Sequence, residues 1–186
     1  MGDSEPILTL EPLLEAAREG LEAEGWELSG LQKTTSYEFE GRWAGDSSRS
    51  AYLFFHADGV PDWAGVDVFL DETSRGLKGN LALVVDGPEL SVIDDPRGVL
   101  SQLSEVAQKN LPDGFRTPLT LRYRLPKLQV DPAESDTEVR FKLYIPGKAM
   151  NAGHSAVVAL VASTVRAFRK ILDSRDLRRL LAPEEP

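Results

Sequence analysis

The chain has 186 residues, no cysteine and only two histidines, and 41% of it is hydrophobic. A chain of this length buries enough apolar surface to fold as one domain unaided, and the missing thiols exclude a disulfide scaffold, a cysteine nucleophile and a zinc ribbon. The net charge of −9 disfavours non-specific contact with nucleic acid or an anionic membrane.

That charge is divided along the chain. Residues 1–100 hold 7 Lys+Arg against 20 Asp+Glu, whereas residues 101–186 hold 14 against 10. The most apolar window, Ala156 to Ala162, is far shorter than the roughly 20 residues that span a bilayer. Met1 to Pro6 carries neither the basic nor the apolar run of a secretory leader, so a cytoplasmic protein that contacts no membrane is the expectation.

Residues 1–9 read as a flexible N-terminus. Thr9 stands where a helix cap belongs, and Pro12 falls in the first turn. Leu10, Leu13, Leu14, Ala17 and Leu21 then share one helical face, and Gly25 follows as a stop, which predicts a helix over 10–24. Strands come next. Tyr37, Phe39 and Trp43 alternate, as do Ala51, Leu53, Phe55 and Ala57 against Tyr52, Phe54 and His56. Val66, Val68 and Leu70 alternate with Asp67 and Asp71 facing away, and Leu81, Leu83 and Val85 form another run. Residues 27–33 show only a weak strand pattern. Turn compositions at 44–48, 58–62 and 73–76 join these runs into an antiparallel meander.

Asp95-Pro96 opens a second helix, with Val99, Leu100, Leu103, Val106 and Ala107 on its apolar face. Leu119, Leu121, Tyr123 and Leu125 alternate with Thr120, Arg122 and Arg124; Val139, Phe141, Leu143 and Ile145 alternate with Arg140, Lys142 and Tyr144. Pro146-Gly147-Lys148 stops that strand. A long helix follows through Val157, Val161, Val165, Phe168 and Leu172, with Ser155 as its cap. The predicted order is α-β(3-4)-α-β-β-α: an α+β domain over 10–173, with helices packed on an antiparallel sheet and a basic helical extension and tail over 174–186.

Two segments anchor a resemblance. One is the helix exit and strand entry from Asn110 through Pro112-Asp113-Gly114 to Leu119; the other is the strand, glycine turn and amphipathic helix of Ile145 to Leu172. In these, and in the order of its elements over 10–173, the chain resembles the type III secretion chaperones and the YbjN family. The resemblance implies a small, acidic, cytoplasmic and usually dimeric protein that binds other proteins and catalyses nothing. An additional strand before the second helix and the basic extension after Leu172 depart from that pattern.

No residue earns a catalytic, cofactor or metal role. His56, Asp58 and Asp62 have the types of metal ligands, but Asp beside Gly and Pro is ordinary turn chemistry. Ser155 beside His154 reads as a cap, not as a nucleophile and its base. Asp71-Glu72 ends a strand and Asp94-Asp95 caps a helix. Gly76-Leu77-Lys78-Gly79-Asn80 lacks the spacing and following helix of a phosphate loop.

The candidate binding residues form two sets. Tyr37, Phe39, Trp43, Tyr52, Phe54 and Trp63 put many aromatics in one sheet region, and strand 51–57 is apolar on both faces. Arg122, Arg124, Arg140 and Lys142 share the non-core face of the second hairpin. The first expectation is therefore a non-enzymatic, chaperone- or adaptor-like protein-binding module, a homodimer whose acidic N-terminal half suits a basic partner protein. The second is nucleic-acid binding, or regulation of a nucleic-acid-processing (DNA repair) protein, through the basic strand face.

Overall fold

The structure, a computed structural model, describes residues 5–35, 49–87, 95–113, 115, 117–123 and 137–181. Eleven elements follow in chain order: α1 (Leu10–Glu22), β1 (Trp26–Thr35), β2 (Arg49–Ala57), β3 (Ala64–Thr73), β4 (Gly76–Asp86), α2 (Pro96–Asn110), β5 (Leu119–Tyr123), β6 (Glu138–Tyr144), α3 (Gly147–Ala152), α4 (His154–Asp173) and α5 (Arg175–Leu181). The strands form one sheet in the order β1-β2-β3-β4-β6-β5, with every pair antiparallel. This is the α+β class that the alternation predicts. The strand over 37–43 and the cluster Tyr37, Phe39, Trp43 and Arg124 lie outside the described residues.

Period-two alternation decides the faces. In β2 and β3, Leu53 stands opposite Val68 and Phe55 opposite Val66; in β4 and β6, Leu83 stands opposite Phe141 and Leu81 opposite Leu143. All eight are buried and belong to one core with Leu13, Ala17 and Leu21 of α1 and Val157, Val161 and Phe168 of α4. The core thus lies between one sheet face and the helices. β1 follows the same rule through an irregularity. Its register shifts between Leu28 and Gly30, so Trp26 and Leu28 share the core-side parity before the bulge and Leu31 and Lys33 after it, where the strand runs into the open and both side chains are exposed. The change of parity makes its alternation faint in the sequence. Ser29 at the bulge donates to the Phe54 carbonyl at 3.0 Å.

α1 and α4 pack side by side at a glycine. A Cβ on Gly20 would stand 2.8 Å from the Val158 carbonyl oxygen and 2.8 Å from the Val161 Cβ, so only the absence of a side chain permits this separation. The acids of α1 meet the bases of α4 across the same interface. Glu24 accepts from Arg166 at 2.5 Å, and Glu19 contacts His154 at 2.6 Å. Arg169 donates to the Asp58 carbonyl at 2.9 Å. Part of the division of charge along the sequence is therefore a pairing in space. Each exposed pair adds at most about 1 kcal/mol.

Two expected helix caps, Thr9 and Ser155, are corrected. Thr9 occupies the cap position of α1 but its side chain makes no cap bond; Glu72 of β3 accepts from the Leu10 N–H at 2.6 Å instead. Glu72 also pairs with Arg49 at 2.8 Å, and Arg49 reaches Glu11 at 2.5 Å, so a strand end supplies the negative charge that a helix start favours. Ser155 does not cap α4: Gly153, at φ 101°, precedes the helix, and Ser155 lies inside it. The N-terminal segment is anchored at Ile7, which is buried and whose N–H donates to the Met150 carbonyl at 2.9 Å. The last helix breaks at Ser174, and α5 turns Leu177 and Leu181 into the common core rather than extending away from it. Asp95 caps α2 as its position predicts: its carboxylate accepts from the Gly98 N–H at 3.1 Å.

Gly20→Ala should destabilise the protein by about 1–3 kcal/mol in urea denaturation, because its Cβ meets backbone and a β-branched side chain. Gly147→Ala, whose Cβ meets nothing, should not. A second prediction concerns acid. The Arg49 hydrogen bond, above all, holds the Glu72 and Glu11 carboxyls below the ordinary glutamate value of 4.5. Lowered carboxyls contribute stability that is complete above their unfolded value and lost as pH falls through the folded one. Glu72→Gln should cost about 1 kcal/mol at pH 7 and flatten the loss of stability below about pH 4.5. Urea midpoints measured across that range would show it.

Candidate functional site: an uncovered sheet face

The residues that alternate with the core face point the other way. Among the described residues, no helix packs there. Across the strands, the register gives three rows. The first is Gln32, Tyr52, Phe69, Asn80 and Tyr144; the second is Gly30, Phe54, Asp67, Ala82, Lys142 and Thr120; the third is Gly65, Val84, Arg140 and Arg122. The face is therefore aromatic on β2 and β3 and cationic on β6 and β5.

The aromatic part is a packed group. The Tyr52 and Phe69 rings lie 4.5 Å apart between centroids, and Tyr52 and Phe54 stack at 6.4 Å with 14° between planes. Gly30 makes room for Phe54, whose ring carbon would come within 3.2 Å of a Cβ there. Tyr52 remains 42% exposed and Tyr144 54%. Ala82, between Asp67 and Lys142 in its row, is fully covered by its larger neighbours.

In the cationic part, Arg140 and Arg122 stand directly opposite each other. Like charges in this position are mildly unfavourable. Arg140 is neutralised: its Nε donates to Glu138 at 2.7 Å, and its Nη1 lies 3.4 Å from Asp67. Burial opposes its charge, but the Glu138 bond and the two carboxylates outweigh that and raise its pKa. Burial pushes the Asp67 carboxyl up, against the pull of Arg140. Lys142 places its Nζ 5.0 Å from the Tyr144 ring centre. Among the described residues, Arg122 and Lys142 make no ion pair.

Of the sequence-predicted residues, the structure brings Tyr52, Phe54, Arg122, Arg140 and Lys142 onto this face. Trp63 is not among them. It lies in the turn between β2 and β3, half-buried against the core. Phe69 and Tyr144 join the face without a signal in their own strands that marks them as site residues. Phe69 shares parity with Asp67 and Asp71, which marks it as outward, but its pairing with Tyr52 depends on the register of the 58–63 turn.

The other candidates do structural work. Asp58 offers its backbone carbonyl to Arg169, and among the described residues no three His, Asp or Glu side chains converge as metal ligands. Asp71 accepts from the Ser50 hydroxyl at 2.8 Å, and Glu72 holds α1. The His56 Nε2 is buried on β2 without a hydrogen-bond partner among the described residues. A groove of about 350 Å³ between α2 and α5 is lined by Glu105, Lys109, Asp176 and Arg179; its charges are mixed, and Lys109 bridges to Asp176 at 3.5 Å. No described helix is long and apolar enough to cross a membrane. No protein-family model matches the chain, and neither does any curated protein or solved structure.

The two faces of β2 predict opposite responses to truncation. Leu53→Ala, on the core face, should cost about 2–5 kcal/mol in urea denaturation. Tyr52→Ser, one residue away on the uncovered face, should cost about 1 kcal/mol, the worth of its ring contacts.

Proposed function

We propose that the protein is a non-enzymatic binding module, adaptor- or chaperone-like, that docks a partner polypeptide on the uncovered face of its sheet. One observation carries this reading: the described helices pack on one side of a six-stranded sheet, while Tyr52, Phe54, Phe69 and Tyr144 are placed together on the other. Aromatic groups of this kind give a partner large contact area at little entropic cost, and interfaces are enriched in them. The order of elements, which resembles that of the secretion chaperones and YbjN proteins, supports the same reading. The homodimer that the resemblance implies belongs to this proposal, with the uncovered face left to the partner.

A second reading, single-stranded nucleic acid on the same face, draws on rings beside Arg122 and Lys142. That face sets Asp67, Asp71, Asp86 and Glu138 beside its cations, so it offers no continuous cationic track for a charge at every nucleotide, and the polypeptide is favoured.

The test is affinity capture from nuclease-treated native lysate by the wild-type chain and by a Tyr52→Ser/Phe69→Ser variant shown to be folded by circular dichroism. A protein held by the wild type and lost by the variant is the expected result. Equal capture by both would overturn the reading. Light scattering supplies a further check: a dimer that persists in the variant is expected, whereas a dimer that dissolves assigns the face to self-association and displaces the partner.

A further inference from the structure

Charge on the face says what kind of polypeptide fits it. The acidic N-terminal half of the chain favours a basic partner only if its carboxylates are free. Many are not: Glu19 and Glu24 face α4, Glu11 and Glu72 hold Arg49, and Asp67 joins Glu138 of the other half in holding Arg140. On the β5 and β6 side of the aromatic group, two cations lack a carboxylate partner among the described residues. Arg122 is exposed, stands opposite another arginine and has no carboxylate partner among the described residues. Lys142, one register position away and opposite Thr120, meets only the Tyr144 ring.

From this juxtaposition we infer that the partner segment is acidic, with aspartate or glutamate side chains flanking an aromatic or aliphatic one. The inference rests on the proposed function and specifies its partner. The apolar side chain of the segment packs among Tyr52, Phe69 and Tyr144. Its carboxylates reach Arg122 and Lys142, where a bound anion removes the cost of placing two arginines side by side. Asp67 and Glu138 are both taken up by Arg140. A basic segment would put ammonium groups against unpaired cations, which disfavours it.

The test is selection from a phage-displayed library of random linear dodecapeptides on the full chain. It is followed by fluorescence titration of the synthetic consensus peptide against wild type, Arg122→Glu/Lys142→Glu, Arg122→Gln/Lys142→Gln and Tyr52→Ser. Reversal at Arg122 places a carboxylate opposite Arg140, so that variant should fold at least as well as wild type. The expected consensus pairs acids with an aromatic or large aliphatic residue. Its affinity should fall with added salt, and drop at least about tenfold in both charge variants.

A consensus without acids, or one bound equally by the charge variants, overturns this inference; the binding module itself survives if Tyr52→Ser still abolishes binding. Binding that ignores Tyr52→Ser, or no enrichment at all, overturns the module as well. Oligothymidylate binding tighter than the peptide at physiological salt, and lost in the charge variants, assigns the cations to phosphate and overturns both.

Discussion

The structure depends on a single asymmetry: the described helices stack on one face of the sheet. Alternation then forces each strand to carry two unlike sets of side chains, one closed against α1 and α4 and one turned outward. The closed set can be largely apolar because α1 comes near enough to α4 at Gly20 to seal the layer. The outward set is released from packing and free to hold rings and charges. Both the stability of the core and the identity of the candidate site follow from which side a residue's parity places it.

The electrostatics obey the same geometry. Opposite charges concentrated in the two halves of the chain would repel within each half if the halves stayed apart. They meet instead at α1 against α4, and at Arg140 against Asp67 and Glu138. Glu72 is the clearest example of a residue working outside its own element: it ends a strand, yet it accepts the first amide of a helix and fixes an arginine from the neighbouring strand. Arg122 and Lys142 are left without a carboxylate partner among the described residues, and they are neighbours on the uncovered face. That residue of unbalanced charge is more informative about a partner than the net charge of the molecule.

Much of this was legible in the sequence. Clean alternation at 51–57, 66–70, 81–85 and 138–145 gave the sheet, and Asp95-Pro96 gave the start of α2. Arg122, Arg140 and Lys142 could be placed on one face by parity alone. β1 was faint because its bulge reverses parity midway, and Thr9 and Ser155 misled because a cap position names a residue type, not the donor's actual partner. Phe69 and Tyr144 escaped because their neighbours lie on other strands, and pairing between strands is set by register, which one strand's pattern does not contain. The place of β6 between β4 and β5 is likewise invisible locally, since nothing in either strand states its order in the sheet.

That strand order divides the sheet unequally. β1 to β4 are joined by chain neighbours, whereas Leu81 reaches Leu143 only after the chain has passed through α2 and β5. Loop-closure entropy therefore falls on one seam, between β4 and β6. The seam runs through the candidate site, with Tyr52, Phe54 and Phe69 on one bank and Arg122 and Lys142 on the other. Arg140 spans it, reaching past β4 to Asp67. A segment bound to both banks would lie across the seam like a suture, so that occupancy of the face and cohesion of the sheet become a single coupled equilibrium.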